Sequence, residues 1–180
     1  MVHEAFNWQH GTFVGSIVSS EITAAATGNF GKVRHDPFAM LPFCGYNMGD
    51  YFKHWLEIGK TTDPKKLPKI FHVNWFRKDA DGKFLWPGYG ENIQVIKWIF
   101  DQCDETTNSV KSPIGLLPQK DAIDVSGLNI SDETMNELFK IDPADWKKEA
   151  ENIREFYKTF GDDLPAELLG ELNALEKRLL

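Results

Sequence analysis

Cysteine is scarce in this chain of 180 residues, which has only Cys44 and Cys103. They lie far apart and match no metal-binding or redox spacing. Without a secretion signal they point to a reducing, intracellular setting. The opening Met1-Val2-His3-Glu4 reads as neither a signal peptide nor a clear transit peptide. No apolar run is long enough to span a membrane. Positive charge is also lacking. The formal net charge is −7, which argues against a general nucleic-acid coat, since phosphate binding needs a basic face, but leaves room for a small basic pocket. The 5 histidines form no ligand set by spacing and read as core or surface residues. There is no internal repeat, no low-complexity segment and no nucleophile–base pattern. Gly59-Lys60-Thr61 imitates the end of a phosphate loop, but His54 stands where that loop needs its first glycine. The triplet also ends a predicted helix, whereas a phosphate loop opens one.

What is present suits one globular domain with a real core: 42% of residues are hydrophobic and 13% aromatic. Thr12 to Val18 reads as a strand. Ser19 to Lys32 reads as a short helix with a glycine-rich end or as a compact surface loop. Met48, Phe52, Trp55, Leu56 and Gly59 follow helical spacing. Lys69 to Phe76 is rich in strand formers, Asp79-Ala80-Asp81-Gly82 is a turn signal, and Lys83 to Trp86 can return as the second strand of a hairpin. Beyond Pro87-Gly88-Tyr89-Gly90, the residues Ile93, Ile96, Ile99, Phe100 and Cys103 mark one face of a helix. Thr106 to Asn129 reads mostly as loop. Ser131 can cap a helix carrying Met135, Leu138 and Phe139, and Asp142-Pro143 signals another start. Trp146, Ala150, Ile153, Tyr157 and Phe160 form its stripe, ended by Gly161. Leu168, Leu172, Leu175 and Leu179 form the last stripe. The fold class is α+β: an aromatic β-hairpin plus helices, with a helical C-terminal subregion over 131–180.

The aromatic hairpin is the unusual feature. Trp75, Phe76, Phe84, Trp86 and Tyr89 crowd together, broken by Pro87, Gly88 and Gly90. One reading is a hydrophobic hairpin packed on the core. The other is a slot for a flat ring. Stacking a base on an aromatic contributes about 1–3 kcal/mol, glycine lets backbone approach a ligand closely, and Asn92 offers both a donor and an acceptor.

The run Phe71-His72-Val73-Asn74-Trp75-Phe76-Arg77-Lys78-Asp79, followed by Phe84-Leu85-Trp86-Pro87-Gly88-Tyr89-Gly90-Glu91-Asn92, resembles the guanine-binding segment of GTP-dependent phosphoenolpyruvate carboxykinases. Glu4-Ala5-Phe6-Asn7-Trp8-Gln9-His10-Gly11, Ser20-Glu21-Ile22-Thr23-Ala24-Ala25-Ala26 and His35-Asp36-Pro37-Phe38-Ala39-Met40 are similar to the same family. So are Pro113-Ile114-Gly115-Leu116 and Asp124-Val125-Ser126-Gly127-Leu128. The likeness runs in order along essentially the whole chain. It implies that 1–180 is a single partial domain, the C-terminal portion of the family's nucleotide-binding domain.

The resemblance implies a reaction in which oxaloacetate is decarboxylated and phosphorylated by GTP, giving phosphoenolpyruvate, GDP and carbon dioxide for gluconeogenesis. Its substrates are oxaloacetate or phosphoenolpyruvate and GTP or GDP, with Mn2+ and Mg2+ assisting in the full-length protein. It also implies a monomeric parent, working in the cytoplasm or the mitochondrial matrix, with no nucleic-acid or membrane partner. By position, Phe76 and Tyr89 would sandwich the guanine, Phe84 would close its edge and Asn92 would hydrogen-bond the base. Trp75, Gly90 and Glu91 would shape the pocket. Segment 19–33 would be an Ω-loop lid that includes Ser19, Ser20, Glu21, Ala24, Ala25, Ala26 and Gly28. A lid of that kind keeps water from an enolate. The family's phosphate loop, metal ligands and substrate-binding arginines would lie outside this chain, so no catalytic or metal-ligating residue is assigned within it. Ser19 and Leu41 stand where many members carry arginine, Thr27-Gly28-Asn29-Phe30 lacks the charges usual in the lid, and Tyr89 replaces a common phenylalanine. Two other classes remain open at this point: a non-catalytic short isoform acting as a binding or regulatory module, and a single-stranded nucleic-acid binder, which the acidic balance disfavours.

Overall fold

A computed structural model describes residues 1–21 and 33–180. In chain order the elements are β1 (Val2–Glu4), α1 (Trp8–Ser16), β2 (Ser19–Glu21), β3 (Val33–His35), α2 (Met48–Ile58), β4 (Phe71–Val73), α3 (Asn92–Cys103), β5 (Ser109–Ser112), β6 (Gly115–Pro118), α4 (Asp132–Phe139), α5 (Pro143–Lys158) and α6 (Ala166–Arg178). The mixture is α+β, as the sequence predicts. Two compact units emerge: Met1–Phe6 with Lys69–Asp142, and Asn7–Pro68 with Pro143–Leu180. The helical region 131–180 is shared between them, α4 falling in the first and α5 and α6 in the second.

The first unit is built on an antiparallel sheet of order β4-β1-β6-β5. In its register Val2 faces Val73 and Glu4 faces Phe71. The strand formers of 69–76 therefore serve β1, at the far end of the sequence, and only Phe71–Val73 is strand. The expected hairpin survives in minimal form, as an antiparallel bridge between Lys78 and Phe84. The stretch 106–129, expected to be loop, supplies the β5–β6 hairpin. Its turn is closed by the Ser112 hydroxyl donating to Gly115 O at 2.7 Å. The core gathers Val2, Trp86, Val95, Trp98, Ile123 and Leu138.

The helix predicted after Gly90 is present, but it buries a different face. Val95, Trp98 and Gln102 point inward, and Trp98 meets Phe71 edge-on at 5.9 Å. Ile93, Phe100 and Cys103 lie on the exposed side, with Phe100 63% exposed. One large indole removes more apolar area from water than an isoleucine does, and it sets the rotation of the helix.

In the second unit α1 packs on α2 and α6, and α5 packs on α6. The Thr12–Val18 strand expectation fails, because this run is helix to Ser16. Asn7 caps it, its side chain accepting the His10 N–H at 2.9 Å. Residues 10–14 are all buried, so tertiary burial overrides the strand preference of Thr12, Phe13 and Val14. The stripes of α2, α5 and α6 fall as predicted: Phe52, Leu56, Ile153, Tyr157, Leu168, Leu172 and Leu175 are buried. Tyr157 shares a 2.5 Å hydrogen bond with Ser16. Gly59 follows α2, and a Cβ there would lie 2.3 Å from Trp8 Cδ1. Its role is to let Trp8 close onto α2, where the indole N–H donates to Trp55 O at 2.7 Å. Gly59-Lys60-Thr61 thus sits at a helix C-terminus, where free carbonyls rather than N–H groups gather. The histidines lie against other rings. His10 is buried and stacks near Phe13 at 6.0 Å, His3 stacks with His72 at 5.2 Å, and His35 lies on Phe156 at 4.3 Å.

Two outcomes follow. Changing Ile93→Glu and Phe100→Lys, with charges placed to suit the helix dipole, should leave stability within about 0.5 kcal/mol while lowering hydrophobic-dye binding and self-association. A large loss in denaturant midpoint would mean that this face is buried in solution. Second, burial, with the nearby Arg178 cation, lowers the His10 pKa from 6.5 to about 4. Its neutral form is favoured in the fold, so its contribution is complete above about pH 6.5 and is lost as pH falls toward about 4. The loss amounts to at most about 3 kcal/mol. Urea titrations between those limits should show that slope, and His10→Gln should flatten it. An unchanged slope would assign the acid sensitivity elsewhere.

Candidate functional site

The aromatic segment belongs to the first unit and is held by polar contacts along its backbone. After β4 the Asn74 side chain accepts the Phe76 N–H at 2.9 Å, a local turn that turns the chain away from the sheet. Asp79 Oδ1 then accepts the N–H groups of Asp81 at 3.0 Å and Lys83 at 2.9 Å, and the Leu85 N–H returns to Arg77 O at 2.9 Å. The Arg77 guanidinium reaches the C-terminal end of α4, donating to Leu138 O at 3.3 Å and Lys140 O at 3.0 Å, with Glu137 at 3.6 Å. A cation at that end meets free carbonyls and the negative pole of the helix.

The second half of the segment is a closed loop. Trp86 is 2% exposed and belongs to the core, and its indole N–H donates to Asn92 Oδ1 at 2.9 Å. Between them Gly88 takes φ +85° and ψ −161°, a region only glycine occupies readily. Tyr89–Glu91 then forms a 3-10 turn that leads into α3.

On this frame the predicted ring-binding side chains stand outward. Phe76 is 71% exposed, Phe84 53% and Tyr89 98%. Phe76 and Phe84 meet edge-on with centroids 6.1 Å apart, and Lys78 Nζ lies 5.1 Å from the Phe84 centroid. Trp75 is half-buried against the core, and Asn92 and Glu91 are half-buried at the head of α3. A cleft of about 480 Å³ opens beside Phe84, lined also by Asp79, Lys83, Pro87, Glu91 and Thr134. Phe84 and Glu91 thus border one cavity, while Phe76 and Tyr89 stand outside its lining. Sequence reasoning missed the bracing by Arg77 and the Trp86–Asn92 bond. Its only trace in the chain is that tryptophan and asparagine flank Pro87 to Glu91.

The flanks of the predicted lid lie in the second unit. β2 and β3 pair antiparallel, Ser19 opposite His35 and Glu21 opposite Val33. Ala24, Ala25, Ala26 and Gly28 lie outside the described residues. The buried Asp36 gathers the base of the ribbon. It accepts from the Ser20 hydroxyl at 3.2 Å and the Leu41 N–H at 3.3 Å, and Arg34 lies 3.9 Å away. Ser19 Oγ is 3.4 Å from His35 Nδ1. Just beyond, Phe38 and Ala39 both take φ +55°, a left-handed strain that must be compensated by packing; the Phe38 ring lies parallel to Trp55 at 6.2 Å. Among the described residues no group of three or more His, Cys, Asp or Glu side chains is placed to hold a metal ion.

A family model described as phosphoenolpyruvate carboxykinase C-terminal P-loop domain matches residues 1–178. The chain is 52% identical over 181 residues to a protein named phosphoenolpyruvate carboxykinase [GTP] from Treponema pallidum subsp. pallidum, covering 99% of this chain and 29% of that protein. Identically named proteins from Renibacterium salmoninarum and Neocallimastix frontalis are 51% and 52% identical, over 99% of this chain and 30% and 29% of theirs. The chain therefore spans less than a third of the length of the relatives it matches. With a match from end to end and about half of the residues shared with such relatives, the chain belongs to the phosphoenolpyruvate carboxykinase C-terminal domain family.

Proposed function

We propose that this chain is the C-terminal portion of a GTP-dependent phosphoenolpyruvate carboxykinase and that it contributes the guanine site and the active-site lid. The observation that carries the first role is the set of exposed rings on a fixed frame. Phe76, Phe84 and Tyr89 offer apolar faces to solvent, while Arg77, Asp79 and Trp86 hold the backbone beneath them. Exposed aromatics on a rigid support lose little entropy on stacking with a base. In this reading Phe76 and Tyr89 flank the guanine, Phe84 closes its edge, Asn92 reads it, and Trp75, Gly90 and Glu91 shape the wall. The ribbon β2–β3 carries segment 19–33 as the lid, its base fixed by Asp36.

The reaction proposed for the whole protein breaks the C–C bond of oxaloacetate, releasing carbon dioxide and leaving the electron pair as an enolate. The enolate oxygen then takes the γ-phosphoryl of GTP, and GDP departs. This chain's share is to orient the nucleotide through its base and to keep water from the enolate, which a proton would otherwise divert to pyruvate. Phosphate, metal and substrate-acid contacts are assigned to parts of the protein beyond these residues.

Base binding alone is weak. One stacked base contributes about 1–3 kcal/mol and each hydrogen bond about 1 kcal/mol, against an association cost of at least about 4 kcal/mol. Ligand-observed NMR should find guanosine, GDP and GTP binding this chain with similar affinity, about millimolar or weaker. Phe76→Ala or Tyr89→Ala should abolish binding, and Tyr89→Phe should preserve it. GTP binding far above guanosine would reveal a phosphate site in these 180 residues. Equal binding of adenosine would remove Asn92 from base recognition. The purified chain should show no turnover of oxaloacetate with GTP and manganese, since losing one charge-stabilising group alone costs about a hundredfold or more. Activity that survives controls for host enzyme would contradict this division of labour.

A further inference from the structure

We propose that the outer face of α3, carrying Ile93, Ile96 and Phe100, is the surface on which the rest of the carboxykinase polypeptide packs, and that its occupant is an uncharged, apolar face of that same polypeptide. This rests on the reading of the chain as a portion of a longer protein. Viewed down the axis of α3, with 3.6 residues to a turn, the polar side chains Gln94, Lys97 and Asp101 share an arc of roughly 60°. Lys97 pairs with Asp101 there. On one side of that arc Trp98, Gln102 and Val95 point into the core. On the other side Ile93, Phe100 and Ile96 meet solvent, at 58%, 63% and 38% exposure, and the exposed Cys103 extends their line. Ile99, packed on the core, joins the two faces. No charged side chain interrupts the circuit from Trp98 through Ile99 to Ile93. A helix apolar over that much of its surface belongs between two packed layers, and the core of the first unit supplies one of them.

Chemistry and area choose the occupant. Lone exposed apolar side chains are ordinary, but three on one stripe, spaced by three and four residues, form a continuous patch. The stripe has no charge of its own. It gives a phosphate or a nucleic acid nothing to pair with, and a charged group pressed on it would lose hydration without return. An apolar surface meets no such penalty. The stripe is also small. Its helix has 12 residues, so it runs about 18 Å, and at a width of about 10 Å it offers on the order of 200 Å². Independent partners need about 800 Å² each. A second copy or a free protein is therefore held only weakly here. A surface on the same polypeptide is presented at high effective concentration and needs no such area. The Treponema pallidum and Renibacterium salmoninarum relatives match this chain over only 29% and 30% of their length, so ample polypeptide remains to supply it.

The test compares the free chain with a chimera of the Treponema pallidum relative in which this chain replaces the matched segment. The readouts are the thermal midpoint and the alkylation rate of Cys103, followed by mass spectrometry of its peptide. In the free chain Cys103 should react as an exposed thiol. In the chimera it should react at least about tenfold more slowly, because a covered thiol reacts only when the surfaces part. Ile93→Glu with Phe100→Lys should leave the free chain's midpoint within about 2 °C of its starting value. In the chimera the same pair should lower the midpoint well beyond that and return Cys103 to the free-chain rate. Equal Cys103 rates in chain and chimera overturn the proposal. So does a double substitution that is silent in the chimera. So does one that destabilises the free chain, since the cover would then lie within these 180 residues. A chimera that dimerises, and is dissociated by the double substitution, overturns it in favour of a second copy. If the chimera does not fold, grafting only Asn92–Cys103 into the relative gives the same comparison of rates. Turnover of oxaloacetate with GTP judges the carboxykinase reading separately: a folded chimera without turnover counts against that reading and leaves the Cys103 rates to judge the face.

Discussion

The indole of Trp86 has two obligations that no smaller residue could meet together. Its ring packs in the core of the first unit, and its one polar atom meets an acceptor there, where an unpaired N–H would lose its hydration without return. The acceptor is the side chain of Asn92, the first residue of α3. That bond joins the core, the start of a helix and the intervening Pro87–Glu91 loop. The rings of Phe76, Phe84 and Tyr89 are too exposed to hold themselves in place by packing. Their positions are set by backbone contacts beneath them: the Asn74 and Asp79 turns, the Arg77 fork on the end of α4, and the Trp86–Asn92 closure.

How much of this was legible in the chain depends on the range of the interaction responsible. The stripes of α2, α5 and α6, the Ser131 cap of α4, where the Ser131 hydroxyl accepts the Thr134 N–H at 3.2 Å, and the Asp79–Gly82 turn are local, and periodicity or side-chain chemistry exposes them. The strand formers around Phe71 were legible as a strand but not as the partner of β1, because pairing across the chain leaves no local mark. In α1 the residues Thr12, Phe13 and Val14 carry a strand preference, and the structure overrides it by burying the helix almost all round. In α3 the isoleucines and Phe100 form a regular apolar face, yet Trp98 and Val95 take the interior. Counting apolar residues at helical spacing finds a helix but does not say which of two apolar faces the core will accept.

The two candidate regions rely on different kinds of support. The aromatic segment is tied to a hydrophobic core by Trp86 and braced by backbone turns and Arg77. The ribbon β2–β3 is gathered instead by a buried carboxylate, Asp36, which takes hydrogen bonds from Ser20 and Leu41 and faces Arg34. A buried carboxylate is tolerated only when its oxygens are used, so the donors around Asp36 are held to fixed places at the foot of the segment. The short strands β2 and β3 are thus fastened at their His35–Asp36 end.

Charge sets the final division. With a formal net charge of −7, the chain offers no net positive charge to draw in a nucleoside triphosphate, and stacked rings with a few hydrogen bonds barely exceed the cost of association. Such a site cannot supply strong nucleotide binding, but it can supply identity. Selectivity depends on the difference between two complexes and not on the strength of either, so a weak base site can still tell one base from another. Strength must then come from cationic groups that meet the phosphates, and in the reading proposed here those belong to the larger part of the protein, of which this chain is less than a third by the lengths of its relatives. In that reading, keeping the two tasks apart lets the base site stay rigid while phosphate contacts form and break during transfer.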